Sequence, residues 1–305
     1  MLSDIINKWL FMKQATVKQS TMAAYALNLE KHIIPFFCSK EQFDQQDIRD
    51  FVDSKLSEGL SIKRIKDILM VFKMVLKFAN DAGNNYPEIP TIKFTNTNGN
   101  QELPVFSSSQ QKTMMDFLIA NLNFKNLGLL ICFSTGMRIG EICGLKWEDI
   151  DFERGLLSVR RTVYRVGPIC GVSKIGRLVE SHPKTRNSYR VIPLSEKLLS
   201  IISELREEIR DDGYVVTNDL RPMEPRAYRY YYDRLLEELK LPHVRFHGIR
   251  HSFATRCIEN ECDYKAVSMI LGHADISTTL NMYVHPSLEH RKNCIEKMLA
   301  SLSSK

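Results

Sequence analysis

Two helical segments of the chain carry residues whose types and spacing could do chemistry. In the first, Arg138 and Glu141 are three residues apart, which places them on one face of a predicted helix. In the second, His247, Arg250 and His251 share one arc of another predicted helix. A surface ion pair worth less than about 1 kcal/mol would explain the first pair if it stood alone. The segments are therefore considered together.

A third segment, ILGHADISTTLNMYVH, carries His273 and, ten residues later, Tyr283. A zinc site is one interpretation of His247, His251 and His273, because histidine is a common zinc ligand. It is disfavoured because no glutamate follows His247 and because Arg250 would hold a positive charge beside the metal. We predict no metal and no other cofactor.

Arginines, histidines, a lysine and a tyrosine can instead act on one phosphodiester. Guanidinium groups match pairs of non-bridging phosphate oxygens, and their charge stabilises the negative transition state. A tyrosine hydroxyl has an ordinary pKa of about 10, so neighbouring cations must favour its ionised, nucleophilic form. A lysine or histidine can protonate the departing sugar oxygen. The pattern indicates metal-free chemistry on a phosphodiester, with a tyrosine as the nucleophile and fixed positive charges in place of a metal ion.

The elements that position these residues fall into two predicted domains. Residues 1–82 have helical periodicity throughout, and residues 83–104 hold three prolines and no period, which is typical of a linker. Residues 105–305 mix helices with short strands. We predict a mainly helical α+β protein, with an all-helical first domain and a small antiparallel sheet in the second. The strands are predicted at 155–164, 177–180, 189–193 and 214–217.

The last helix of the first domain, at about 61–80, has two contrasting faces. One is a broad apolar stripe of Ile65, Ile68, Leu69, Val71, Phe72, Val75, Leu76 and Ala79. The other holds four lysines within an arc of about 80°, with no acidic residue between them. These are Lys63, Lys66, Lys73 and Lys77. The lysine face is either a solvated surface or a contact for phosphates along DNA, and the phosphate chemistry elsewhere favours DNA.

The composition is typical of a globular protein in a reducing compartment. The 305 residues carry 42 Lys plus Arg against 36 Asp plus Glu, a mildly basic balance of +6. No stretch approaches the roughly 18 to 20 apolar residues of a membrane span, and the N-terminus lacks a signal-peptide pattern. The seven cysteines include no C-x-x-C pair. We expect a cytoplasmic protein with no membrane partner.

The motifs together resemble the signature of the tyrosine recombinases, the phage integrase family. The resemblance covers nearly the whole chain and rests on Arg138, His247-x-x-Arg250, His273 and Tyr283. Flanking motifs match as well: Thr135-Gly136-x-Arg138-x-x-Glu141, Leu145-x-Trp147-x-Asp149-Ile150-Asp151, Leu271-Gly272-His273 and Thr278-Thr279. The resemblance implies a core-binding domain in the helical N-terminal part and a catalytic domain at 105–305.

The resemblance implies a role for each of these residues. Arg138 and Arg250 would clamp the scissile phosphate. Tyr283 would attack it, leaving a 3′-phosphotyrosyl link and a free 5′-hydroxyl. His247 would assist proton transfer, and His273 would hydrogen-bond the phosphate.

The resemblance also implies that Glu141 braces the site and that a lysine in a hairpin turn is the general acid. Lys174 and Lys184 are the candidates, and HPKTRNSYRVIPL around Lys184 resembles the integrase pattern of Lys-Thr leading into a strand. We therefore favour Lys184. The tyrosines at 228 and 230–232 are weaker candidates for the nucleophile, because we expect them to combine packing in the core with contacts to the DNA backbone.

We expect a site-specific recombinase that integrates or excises a mobile element. The step from His273 to Tyr283 resembles phage and conjugative-transposon integrases, since the Xer group typically places the tyrosine one residue nearer. An insert at 164–181 predicts an additional hairpin. The alternatives are a Xer-like resolvase or an inverting recombinase, a type IB topoisomerase and, in another class, a catalytically silent DNA-binding regulator.

The expected partners are DNA and further copies of the chain. The resemblance implies that the protein binds double-stranded DNA attachment sites and forms a homotetramer on paired sites. The sequence leaves open whether accessory excision or bending factors take part. After Tyr283 the tail places Leu288, Ile295, Met298, Leu299 and Leu302 at near-helical spacing. We expect this helix to dock on a neighbouring protomer.

Overall fold

The computed structural model describes residues 2–94, 104–167, 176–181 and 189–272, together with six helical positions of the C-terminal tail. The chain divides into two compact units. One consists of Met1–Gln101 with Arg165–Leu178, and the other of Glu102–Tyr164 with Val179–Lys305. In these described ranges no helix is long and apolar enough to cross a membrane. The tail positions are Lys292, Ile295, Glu296, Met298, Leu299 and Leu302.

The first unit is helical, as the periodicity predicts. Polar caps set where two helices begin: the side chain of Asp44 accepts hydrogen bonds from the backbone of Gln46 and Asp47, and that of Ser61 from Arg64. The whole predicted apolar stripe of the last helix is buried. The helices are α1 (Leu2–Gln14), α2 (Gln19–Asn28), a π-helical turn (Leu29–Ile33), α3 (Ile34–Phe37), α4 (Gln45–Ser57) and α5 (Ile62–Asp81).

The chain after α5 packs back onto the first unit. The Asn80 side chain donates to the carbonyl of Tyr86 at 3.0 Å and accepts from its N–H at 2.8 Å. Ile89, Ile92 and Phe94 are partly buried against the helical core. Residues 83–94 were predicted as linker, and they form neither helix nor strand. They nevertheless belong to the first unit, because their scattered apolar side chains cover its core.

The second unit mixes helices with two small sheets. Its described helices are α6 (Ser108–Ala120), α7 (Phe124–Thr135), α8 (Ile139–Cys143), α9 (Glu196–Ser203), α10 (Pro225–Glu238), α11 (Phe246–Glu259) and α12 (Tyr264–Leu271). Its described strands are β1 (Ile150–Asp151), β2 (Leu156–Val159), β3 (Thr162–Val166), β4 (Arg177–Ser181) and β5 (Arg190–Pro193). The end of β3 and the beginning of β4 lie in the stretch grouped with the first unit. The predicted mainly helical α+β fold class is confirmed.

The larger sheet has the antiparallel order β1-β2-β5. Leu157 of β2 lies opposite Ile150 of β1 and Ile192 of β5, and all three are buried. One face of the sheet therefore packs into the core, which fixes the register of β5. The strands β3 and β4 form a separate two-stranded sheet, which confirms the hairpin predicted for the insert at 164–181.

The strand predicted at 214–217 is wrong. Tyr214 forms only isolated bridges, to Lys146 and to Asp219. Val215 and Val216 are buried within a turn that Asn218 closes by donating its N–H to the Tyr214 carbonyl at 2.7 Å. A short run of β-branched residues indicates burial, and here the burial is in a turn.

Candidate active site

Arg138 is placed by a tight turn between α7 and α8. The α7 helix ends at Gly136, which adopts a left-handed conformation with φ of 66°. A Cβ atom at Gly136 would lie 2.6 Å from Leu271 and 2.8 Å from Phe253, so only glycine fits the turn. Arg138 is the residue before α8, and the Glu141 carboxylate accepts from its N–H at 2.9 Å and from its Nη1 at 2.8 Å. The predicted pairing of Arg138 and Glu141 is therefore present.

Arg250 is held inside the protein by backbone carbonyls. The residue lies on α11 and is only 2% exposed. Its Nη1 donates to the Gly136 carbonyl at 3.0 Å and its Nη2 to the Leu271 carbonyl at 2.7 Å. A buried guanidinium needs such partners, and these two fix its plane.

Both arginines meet at the carbonyl end of α12. The Leu271 carbonyl also lies 3.4 Å from Nη1 of Arg138, and the Gly272 carbonyl lies 3.5 Å from its Nη2. The C-terminal end of a helix carries partial negative charge, which favours cations. Arg138 and Arg250, which are far apart in sequence, are thus brought together at Leu271, two residues before His273.

Two histidines lie one turn apart on α11, beside the arginines. His247 is exposed, and partial burial of its ring, followed by the charges of Arg250 and Arg138, lowers its pKa. His251 is 3% exposed and meets the His247 ring edge to face, with 4.6 Å between centroids. Burial and the neighbouring charges lower the pKa of His251 to about 4. Both rings are therefore neutral near pH 7, and His247 is able to accept a proton.

One contributor to the site, Arg190, was missed from the sequence. Its side chain is 6% exposed, and Nη2 and Nη1 donate to the Glu141 carboxylate at 2.8 and 3.1 Å. A usable signal existed, because Arg190 shares a strand face with buried Ile192 while Val191 between them is exposed. A charged residue on the buried face of a strand needs a partner.

Glu141 is ionised in this setting. Burial alone would raise its pKa, but hydrogen bonds and charge from Arg190, with those of Arg138, outweigh burial and hold the pKa at about 2. The carboxylate is thus a fixed anion between two cations. It orients them rather than exchanging protons.

The crowded tyrosines of α10 are unsuited to be nucleophiles. Tyr228 and Tyr232 are fully buried and donate to the carbonyls of Lys125 and Val244 at 2.7 and 2.8 Å. Burial raises both of their pKa values. Tyr230 is 66% exposed. Tyr228 and Tyr232 therefore pack in the core, as predicted from the sequence.

The four lysines of α5 are all exposed, but their surroundings are less uniform than the helical arc predicts. The Nζ of Lys66 lies 5.3 Å from the centre of the Phe94 ring. Lys73 and Lys77 line a groove together with Asp81 and Glu88. The expectation of a face free of acidic residues is wrong at this end, because Asp81 ends the helix and Glu88 comes from the segment packed beside it.

Several predicted site residues lie outside the described residues. They are Lys174, Lys184, His273 and Tyr283. Among the described residues no group of three or more His, Cys, Asp or Glu side chains could hold a metal ion. The described part of the site consists of Arg138, Glu141, Arg190, His247 and Arg250.

Comparisons with known proteins show the family to which the chain belongs. The profile of the phage integrase family matches residues 104–290, and that of the phage integrase N-terminal SAM-like domain matches residues 1–56. A tyrosine recombinase XerC-like protein of Caldanaerobacter subterraneus subsp. tengcongensis is 29% identical over 327 residues, which cover 97% of this chain and 82% of that protein. The transposase of transposon Tn916 from Enterococcus faecalis is 29% identical over 205 residues, 61% of this chain and 48% of that protein.

Solved structures share the fold at lower identity. The Tn1549 transposon integrase in complex with a circular intermediate DNA superposes with a TM-score of 0.74 and 20% identity, over 97% of this chain and 99% of that one. A lambda integrase tetramer bound to a Holliday junction gives a TM-score of 0.65 and 16% identity, over 93% and 77%. Both similarities concern the fold.

Proposed function

The chain belongs to the phage integrase family and is a tyrosine-type DNA recombinase; we propose that Tyr283 is its nucleophile and that it integrates or excises a mobile element. The observation that carries the proposal is the convergence of Arg138 and Arg250 on the Leu271 carbonyl at the end of α12, two residues before His273. Two guanidinium groups there can bind the non-bridging oxygens of one phosphodiester.

The proposed reaction combines the described residues His247, Arg138 and Arg250 with Tyr283 and Lys184. Neutral His247 takes the phenol proton of Tyr283, and the phenoxide attacks the scissile phosphorus. A phosphotyrosine bond forms to the 3′ side while the bond to the 5′ oxygen breaks, and Lys184 gives that oxygen its proton. Arg138 and Arg250 stabilise the added negative charge. Attack by a new 5′-hydroxyl reverses the step and rejoins the strand.

DNA binding is proposed to use the α5 lysine face, most strongly at its first turn. Lys63 is exposed and is not among the residues that line the groove at Lys73 and Lys77. Lys73 and Lys77 share that groove with Asp81 and Glu88, which weaken their field. Phosphate contacts of this kind position the protein without reading sequence.

Strand exchange is proposed to take place in a homotetramer on paired attachment sites. The described apolar residues of the tail, Ile295, Met298, Leu299 and Leu302, are between 52 and 71% exposed. An apolar helical stripe of this kind is expected to be covered in the assembled state. We assign the tail to a neighbouring protomer. The reaction would take place in the cytoplasm, with no membrane partner.

A Xer-like resolvase is the second candidate, because the XerC-like relative matches over nearly the whole chain. The spacing between His273 and Tyr283 and the hairpin at 164–181 favour the integrase. Plasmid recombination assays separate the two. Joining of attachment sites on two different plasmids supports integration, whereas reaction only between direct repeats of one site on one plasmid supports a resolvase.

The decisive test of the nucleophile is covalent trapping on a nicked suicide DNA substrate. Tyr283→Phe should abolish the protein–DNA adduct while DNA binding stays nearly unchanged, since binding rests on phosphate contacts. Tyr230→Phe is the matched control, because Tyr230 is exposed and should not be needed for cleavage. EDTA should leave adduct formation undiminished. An adduct that persists in Tyr283→Phe would rule out the assignment.

A further inference from the structure

Arg190 is a buried cation whose surroundings the reaction scheme leaves unexplained. It begins β5 and faces the same side as Ile192, yet its side chain is as buried as that of Glu141, at 6% exposed. Burying an arginine is costly unless its donors are satisfied. Its contacts therefore indicate what the residue does.

The guanidinium group of Arg190 donates hydrogen bonds to two different helices. Nη1 and Nη2 donate to the Glu141 carboxylate of α8, and Nε donates to the Ile270 carbonyl of α12. These donors point in directions fixed by the planar guanidinium. One side chain thereby ties β5, α8 and the end of α12 together.

Glu141 is shared evenly between Arg190 and Arg138. Its Oε1 accepts from Nη1 of Arg138 at 2.8 Å and from Nη1 of Arg190 at 3.1 Å. Its Oε2 accepts from the Arg138 N–H at 2.9 Å and from Nη2 of Arg190 at 2.8 Å. Four hydrogen bonds fill the accepting positions of the carboxylate, so its orientation is set from the Arg190 side and passed to Arg138.

The second contact affects the other half of the site. Ile270 precedes Leu271, whose carbonyl accepts from Arg250 at 2.7 Å and lies 3.4 Å from Arg138. Anchoring the Ile270 carbonyl therefore fixes the end of α12 on which both arginines converge. Arg190 reaches the two arginines by separate routes, through Glu141 and through α12.

We propose that Arg190 is a positioning residue for cleavage, which holds the guanidinium of Arg138 and the end of α12 in the geometry that clamps the scissile phosphate. This inference rests on the proposed function. Lysine could not replace Arg190, because one ammonium group cannot reach the Glu141 carboxylate and the Ile270 carbonyl with the same planar fork.

The test is a double-mutant cycle on the rate of covalent adduct formation in single-turnover reactions. Rates are normalised to the fraction of protein that binds an uncleaved DNA, so that loss of folded protein does not count. Arg190→Lys should slow adduct formation by about 100-fold, the loss that follows from a misplaced catalytic group. In an Arg138→Lys background, Arg190→Lys should cause little further loss, because Arg138 is a main route by which it acts.

Arg161→Lys is the matched control. Arg161 donates to the Asp149 carboxylate at 2.7 Å, and the two side chains are 13% and 1% exposed. Like Arg190→Lys, this change removes the guanidinium group from a buried arginine–carboxylate pair of the second unit. The Arg161–Asp149 pair, however, has no described contact with Arg138. It should destabilise the protein comparably, leave adduct formation near the wild-type rate, and combine with Arg138→Lys by simple multiplication.

The outcomes separate the inference from the proposed function. A near-normal rate of adduct formation in Arg190→Lys would overturn the inference. So would a double variant in which the fold-loss of rate equals the product of the fold-losses of the two single variants. A wild-type protein that forms no adduct at Tyr283 would overturn the proposed function, and the inference with it.

Discussion

Replacing Glu141 with glutamine should destabilise the second unit by about 3 kcal/mol at pH 7. The carboxyl has an ordinary pKa of 4.5, and its contacts with Arg190 and Arg138 hold the pKa at about 2 in the folded protein. At about 1.4 kcal/mol for each factor of ten in proton affinity, the difference corresponds to about 3 kcal/mol. This lies at the lower end of the roughly 3 to 5 kcal/mol lost when a buried ion pair loses one partner.

The sign of the pH dependence follows from the lowered pKa. Stability from Glu141 is fully present above about pH 5, where the carboxyl is ionised in both folded and unfolded chains. It is lost as the pH falls from about 5 towards 2, because the unfolded chain then binds the proton first. Glutamine has no proton to gain in this range. The difference in unfolding free energy between wild type and Glu141→Gln should therefore shrink on acidification.

Urea unfolding followed by tryptophan fluorescence can measure this in the relevant unit. The chain has two tryptophans, Trp9 in the first unit and Trp147 in the second. In a Trp9→Phe background the signal reports the second unit alone. Glu148→Gln is the control, because Glu148 is 55% exposed and pairs with Arg161 at the surface, where a pair is worth less than about 1 kcal/mol. A loss below about 1 kcal/mol for Glu141→Gln, or a loss that does not change with pH, would refute the reasoning.

Three further predictions concern the arginines, the lysine face and the tail. Arg250→Lys should lower both the cleavage rate and the melting temperature, because it removes two buried hydrogen bonds to backbone carbonyls. Arg138→Lys should mainly lower the cleavage rate, because the Arg138 side chain is 37% exposed. Equal losses of melting temperature in the two variants would contradict this prediction. Lys63→Gln with Lys77→Gln should weaken binding equally for unrelated DNA sequences and reduce the slope of log affinity against log salt by about one per lost contact, and an unchanged slope would indicate a merely solvated face. Deleting residues 287–305 should impair synapsis and cleavage more than single-site binding, and a truncated protein that assembles and cleaves normally would disprove docking of the tail on a neighbour.

The sequence predicted most reliably what depends on local periodicity and on motif chemistry. The stripe of α5 is buried as predicted, because a helix in water must cover its apolar face whatever its neighbours are. Arg138, His247 and Arg250 also come together as expected. Their residue types and order carry the chemistry even though no local rule brings α8 next to α11.

What the sequence did not predict depends on contacts between distant segments. The groove at Lys73 and Lys77 acquires Glu88 only because the chain after α5 turns back beside it. Arg190 was predicted to lie in a strand, but its role was not recognised, because its partner Glu141 comes from a helix 49 residues earlier. In each case the missing information is which surfaces meet, and helical or strand periodicity does not contain it.

The division of partners among the three arginines explains how the site can be both ordered and strongly positive. Arg190 and Arg138 share the Glu141 carboxylate, and these two ion pairs set the geometry. The hydrogen bonds described for Arg250 go instead to neutral carbonyls, which orient a guanidinium without cancelling its charge. Three arginines against one carboxylate leave a surplus of two positive charges among these residues. A phosphodiester that gains negative charge on attack needs such a surplus, already oriented before DNA arrives.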